Sequence, residues 1–110
     1  MIKMTVYELS KNSQFNVLTM PEPERETDGV YIGDLLSWVM GRARENNVWI
    51  TIMSNINVVA VASLSDVSCV VLAENVTLDS DVLVTAEQKG INVLSTPLSA
   101  YDAAVLLSGM

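Results

Sequence analysis

At 110 residues the chain has the length of one domain, and half of it is hydrophobic, so a core can form without metal or disulfide support. A net charge of −7, with six scattered basic residues, excludes the clustered cations that phosphate-backbone binding needs, so nucleic acid is not an expected partner. Histidine is absent and cysteine occurs once, which removes the commonest general base and the usual transition-metal ligands, so neither a metal nor a cofactor is expected.

Thr5 and Glu8 stand at the spacing of a capping box. Val6 and Leu9, with Tyr7 alongside, give the helix they open an apolar side as far as Lys11. Phe15 to Met20 alternates and reads as a strand. Pro21 to Gly29 is polar, acidic and carries two prolines, which predicts an exposed loop and the chain's candidate for disorder. Its carboxylates, Glu22, Glu24, Glu26 and Asp28, lack the glycine-shaped loop that calcium demands, and they read as solvated.

Val30 to Ile32 is a short strand closed by Gly33 and Asp34, with Asp34 able to N-cap the next helix. Leu35, Leu36, Val39, Met40 and Ala43 then recur on one helical face. Gly41 falls inside that helix, Arg42 and Arg44 near its end, and Asn46 and Asn47 at its exit. Trp38 sits beside the apolar stripe, as core or as an interface anchor. With Met40 and Trp49 it makes a set of interface candidates, since aromatic residues are enriched in interface cores.

Two runs, Val48 to Met53 and Cys69 to Ala73, carry no charge and are rich in β-branched residues. Such runs suit strands buried on both faces. Cys69 reads as a small core residue, and a single cysteine fits a reducing compartment. The segment between the runs decides the fold. As a helix, Asn55 to Ser65 takes Ser54 or Asn55 as its cap and turns Ile56, Val59, Ala60 and Leu64 inward. As a strand, its Val-Val-Ala-Val run has the better propensity. A tight hairpin prefers Asn-Gly or Asp-Gly, whereas parallel buried strands need a crossover. Helix is the preferred reading.

Asp79 or Ser80 caps a helix through Val82, Leu83 and Ala86, with Gly90 just past its end. Ile91 to Leu94 is an apolar strand and Ser95-Thr96-Pro97 a turn. Ser99 and Asp102 resemble another cap. Tyr101, Val105 and Leu106 or Leu107 give the last helix its buried face. This order predicts an α/β fold, three layers α/β/α around a mainly parallel central sheet of about five strands, with residues 1–110 as a single domain. No basic-then-apolar leader opens the chain, and no apolar run approaches the ~18 residues of a membrane span. A soluble cytoplasmic protein without a membrane partner is the expectation.

The chain resembles the DRTGG domain family. The likeness rests on Val30-Tyr31-Ile32-Gly33-Asp34, on Val48 to Thr51 with the helix after it, on Val70-Val71-Leu72, and on Ile91 to Pro97 before a helix. Members accompany phosphotransacetylases and regulated inorganic pyrophosphatases, and they are akin to the N-terminal domain of HPr kinase. Where the family carries Asp-Arg, this chain has Ser54-Asn55; where it carries Thr-Gly-Gly, this chain has Ala73-Glu74-Asn75. The resemblance implies an accessory, dimer-forming regulatory domain without its own catalysis.

Ligands of open α/β sheets sit beyond the carboxyl ends of the strands. Those ends here are Gly33-Asp34, Ser54-Asn55-Asn57, Glu74-Asn75 and Ser95-Thr96, all small or polar. The competing reading is that each group caps the helix after it. Asp34 and Glu74 count against a phosphate ligand. No histidine activates the serines, and no glycine-rich loop with a lysine cradles phosphate. The expected function is a stand-alone, non-enzymatic regulatory and dimerisation module acting through a protein partner or small ligand. The alternative is a nucleotide- or anion-binding protein using the strand ends.

Overall fold

The computed structural model describes residues 3–110. The elements run α1 (Val6–Ser10), β1 (Asn16–Thr19), β2 (Val30–Ile32), α2 (Leu36–Arg42), β3 (Val48–Thr51), α3 (Asn57–Ser65), β4 (Cys69–Leu72), α4 (Ser80–Gln88), β5 (Val93–Ser95) and α5 (Ala100–Ser108). The sheet order is β1-β5-β4-β3-β2. Strands β2 to β5 are mutually parallel, and β1 lies antiparallel to β5 at one edge. The mainly parallel five-stranded sheet and its helical layers agree with the sequence expectation.

Strands β3 and β4 are buried along their whole length. Their side chains alternate between two cores. Trp49, Val70, Leu72 and Val93 pack with α2, α3 and α4 through Val39, Val59, Ala62, Val82 and Ala86. Val48, Ile50, Cys69, Val71 and Leu94 pack on the other face with α1 and α5 through Val6, Leu9, Ala103 and Leu107. Burial pushes the Cys69 thiol up to about 12. Each fully buried aliphatic side chain contributes about 1.5–3 kcal/mol, so these two strands anchor both layers.

Asn57 to Ser65 is helical, which settles the ambiguous segment. A helix there returns the chain from the end of β3 to the start of parallel β4. Of the residues expected to face inward, Val59 does so and the other three do not. Val58, Val59, Val61 and Ala62 point inward, whereas Ile56 and Leu64 are 48% and 71% exposed and Ala60 is exposed too. In an apolar helix of this length several faces look alike, and packing chooses. The helix ends at Asp66 with φ 56°, a left-handed position that Asp tolerates better than most residues.

Three other expectations are corrected. Leu35, not Asp34, is the residue flanking α2, and it makes no side-chain cap; Asp34 is spent elsewhere. Tyr101 and Val105 of α5 are exposed, at 74% and 51%. The buried positions are Ala103 and Leu107, and the Ser99 hydroxyl caps the Asp102 amide as predicted. Finally, Pro21 to Gly29 is an ordered strap. Its Pro23 and Arg25 carbonyls accept the free first-turn amides of α1, from Tyr7 and Val6, at 2.9 Å each. This satisfies donors that the capping box of Thr5 and Glu8 leaves open. Buried Asn92 holds the other end. Its side chain takes the Glu22 amide at 2.9 Å and donates to the Glu22 and Ser68 carbonyls at 2.8 and 2.9 Å.

Two leucines test the two-core arrangement. Leu72→Ala opens a void in the fully buried centre and is expected to cost about 2–5 kcal/mol in urea unfolding. Leu64→Ala, on the outer face of α3, is expected to stay within about 0.5 kcal/mol.

Candidate functional site

The parallel strands bring all four predicted strand ends to one edge of the sheet, in the order β5, β4, β3, β2. After β2, β3 and β4 the chain turns to the face that carries α2, α3 and α4; after β5 it turns to the opposite face and α5. The ends of β4 and β5 therefore diverge, which makes them the topological switch point where such sheets open a crevice.

That crevice is closed by the backbone. Glu74 and Asn75 sit at φ 59° and 62°, and the Val76 amide donates to the Ala73 carbonyl at 3.0 Å. Positive φ at both central residues is the pattern of a type I′ turn. The turn directs the Glu74 amide to the Leu98 carbonyl (2.9 Å) and the Asn75 amide to the Thr96 carbonyl (3.0 Å). Thr96 is fully buried; its amide donates to Leu72 at 2.9 Å, and its hydroxyl accepts the Leu98 amide at 3.2 Å. Ser95 is half-buried beside it.

The ends of β2 and β3 are tied in the same way. Asp34 accepts the Thr51 hydroxyl at 2.8 Å and the Ile52 amide at 3.0 Å through one oxygen. The Thr51 hydroxyl in turn accepts the Met53 amide at 3.2 Å. The Gly33 carbonyl accepts the Trp49 indole N–H at 2.9 Å. Trp49 is wholly buried, which overturns its reading as an interface residue: a side chain enclosed between β3 and the helices cannot reach a partner. Ile56, not Ser54 or Asn55, is the residue flanking α3, and no side chain caps the helix; the Asn55 side chain accepts the Asn57 amide at 2.9 Å in the turn before it. Ser54 and Asn57 are exposed beside it. Thr51 is a site residue that sequence reasoning misses; a hydroxyl ending an otherwise apolar strand is the available signal.

Two cavities lie away from these residues. One, of about 550 Å³, opens at the opposite edge of the sheet between the strap and the ends of α3 and α4, lined by Glu22, Arg25, Ser63, Asp66 and Lys89 among others. Arg25 and Asp66 form the one ion pair among the described residues, at 2.6 Å, and Arg25 also donates to the Asn46 side chain at 3.1 and 3.2 Å. The Arg25 hydrogen bond, assisted by its charge, holds the Asp66 carboxyl below the ordinary 3.8. A second cavity, of about 500 Å³, is an apolar groove between β2 and α5. On α2, Trp38 and Met40 are 53% and 52% exposed, and the Arg42 guanidinium stacks on the Trp38 ring at 3.7 Å. Among the described residues, no group of three or more His, Cys, Asp or Glu side chains is placed to hold a metal ion, and no helix is long and apolar enough to cross a membrane.

A family model described as the DRTGG domain matches residues 8–110. No curated protein matches the chain. A similar solved structure is that of the CBS and DRTGG domains of the regulatory region of Clostridium perfringens pyrophosphatase, complexed with its activator diadenosine tetraphosphate. The TM-score is 0.77 at 15% identity, over 94% of this chain and 45% of that one. The likeness at that identity is one of fold, and the chain spans less than half the length of its neighbour.

Two substitutions separate structural from ligand-binding roles. Asp34→Ala is expected to lower stability by about 1–3 kcal/mol in urea, because it strands a hydroxyl and an amide that a charged acceptor held. Glu74→Gly is expected to raise stability by up to about 1 kcal/mol, by relieving a left-handed non-glycine residue. The ion pair sets an acid dependence. The native carboxyl binds its proton less readily than the unfolded one, so the stability the pair contributes is present above 3.8 and is lost as pH falls through the lower native value. With the Asp66 side chain 53% exposed, Asp66→Asn is expected to cost under about 1 kcal/mol at neutral pH and to flatten the acid limb of a stability profile.

Proposed function

The chain belongs to the DRTGG domain family, and from that premise we propose that it is a non-enzymatic, cytoplasmic regulatory module that self-associates and acts through a protein partner or a small ligand. The observation that carries this reading is the state of the strand ends. Asp34, Asn55 and Thr96, together with the amides of Glu74 and Asn75, are engaged with the chain's own backbone or side chains, which leaves few groups aimed at a substrate. No histidine stands in the chain, so no imidazole can activate a serine. Exposed apolar side chains such as Trp38 and Met40 on α2 supply surface that suits a protein partner.

A second reading, nucleotide or anion binding at Gly33, Asp34, Ser54, Asn55, Asn57, Glu74, Asn75 and Thr96, is favoured by one observation: the C. perfringens regulatory region is complexed with diadenosine tetraphosphate. The carboxylates of Asp34 and Glu74 oppose it electrostatically.

Thermal denaturation with diadenosine tetraphosphate and simple nucleoside polyphosphates, followed by assay for their breakdown, distinguishes these readings. A ligand at 100 times its Kd adds about 2.7 kcal/mol. A shift abolished by Asn57→Ala establishes the second reading. No breakdown is expected; turnover lost in both Asp34→Ala and Glu74→Ala proteins that remain folded overturns the non-enzymatic assignment.

A further inference from the structure

Only one edge of the sheet is defended. Strand β1 slips its register with β5 between Val17 and Thr19, and Pro21 follows shortly after it; irregularity and proline keep an edge from pairing. Strand β2 has neither. Val30-Tyr31-Ile32 is regular, carries no charge and pairs with β3 on one side only. The Gly29 carbonyl accepts the Val48 amide at 2.9 Å, and the Gly33 amide donates to the Ile50 carbonyl at 3.2 Å, so positions 29, 31 and 33 turn toward β3. Val30 and Ile32 turn their N–H and C=O outward, where no hydrogen bond among the described residues meets them.

Both ends of this edge are acidic. Asp28 stands two positions before Val30 and Asp34 two after Ile32, and both are exposed. Asp34 gives one oxygen to Thr51 and Ile52 and keeps the other out of those bonds. On α5, Asp102 is exposed next to Tyr101. The one ion pair among the described residues joins Arg25 to Asp66, so none of these three carboxylates is neutralised by a cation of the chain. Alongside runs the apolar groove of about 500 Å³, lined by Val30, Ile32, Tyr101, Ala104 and Val105 among others, with no charged residue in its lining.

We infer that the β2 edge takes up an extended segment of a different, basic protein, β-branched in its middle and carrying Lys or Arg at both ends, which adds a strand to the sheet. The inference rests on the protein-partner reading above and names that partner's chemistry. The added strand pairs its main chain with Val30 and Ile32, and its alternate side chains enter the groove. Asp28 and Asp34 are at most about 20 Å apart along extended chain, so a segment of about seven residues reaches both. Charge sets aside the other occupants. A second copy brings −7 against −7, and a two-fold at Tyr31 sets Asp28 of each copy against Asp34 of the other. An acidic segment meets the same repulsion. Self-association is thereby left to another surface.

Two synthetic peptides titrated into the full chain test this: Lys-Lys-Val-Thr-Val-Thr-Val-Lys-Lys, and the same sequence with Glu for every Lys. The lysine peptide is expected to bind about tenfold or more tightly than the glutamate peptide, to weaken with added salt, and to protect the Val30 and Ile32 amides from exchange. Asp28→Asn should weaken it about threefold and Ile32→Lys about tenfold or more; Met40→Lys on α2, which alters net charge equally, should leave it unchanged. Equal binding of the two peptides, or loss in Met40→Lys but not in Ile32→Lys, overturns the proposal. So does protection of Val30 and Ile32 that rises with protein concentration without peptide, which puts a second copy on the edge. A chain that binds neither peptide at millimolar concentration loses the proposal and keeps the protein-partner reading, unless it also shifts with diadenosine tetraphosphate, which overturns both. Should Ile32→Lys fail to fold, the parent's exchange pattern and Asp28→Asn decide: exchange at Val30 and Ile32 that the bound lysine peptide leaves unchanged overturns the edge.

Discussion

The constraint on which this molecule depends is the enclosure of β3 and β4 from both sides. Every residue of these strands is buried, so neither face of the sheet can be left wet. Three crossovers supply one helical layer through α2, α3 and α4. The second layer must come from the chain ends, α1 and α5. Because α5 is drawn to the far face, the ends of β4 and β5 part, and the backbone of the 73–76 turn fills the gap. The position of the candidate site, and its closure, follow from the need to cover both sides of two apolar strands.

The strand ends also show what changes when a glycine pair is replaced. The resemblance sets Glu74 and Asn75 against the family's Gly-Gly, and both adopt positive φ. The left-handed backbone survives in residues that tolerate it less well, at about 1–2 kcal/mol for each L-residue by general expectation. The amides of the turn still reach Thr96 and Leu98.

Most of the architecture is legible in the residues. The charge-free β-branched runs announce the central strands, Thr5 with Glu8 and Ser99 with Asp102 announce two helix starts, and the order of elements comes from periodicity. What is not legible depends on long-range packing. The inward face of α3 cannot be told from Ile56, Ala60 and Leu64, since nearly every residue of that helix is apolar or small. Asp34 has the chemistry of a cap, and only the register of β2 with β3 brings it to Thr51 and Ile52. The strap has the composition of a disordered loop; the partners that hold it, Asn92 and the first turn of α1, lie far away in sequence. Trp49 misleads for a related reason: tryptophan suits a core and an interface equally, and only three-dimensional enclosure separates them.

The enclosure of Cys69 has a use outside the fold itself. Its thiol sits in the middle of the sheet with its ionisation pushed up to about 12, and thiolate is the species that reacts with disulfide reagents and alkylating agents. While the sheet is shut, the group is chemically silent; once β4 separates from its neighbours, it meets solvent as an ordinary thiol. The chain has no other thiol, so the rate at which a reagent consumes it in the purified protein is a clock for opening of the molecule's centre, readable without an added label.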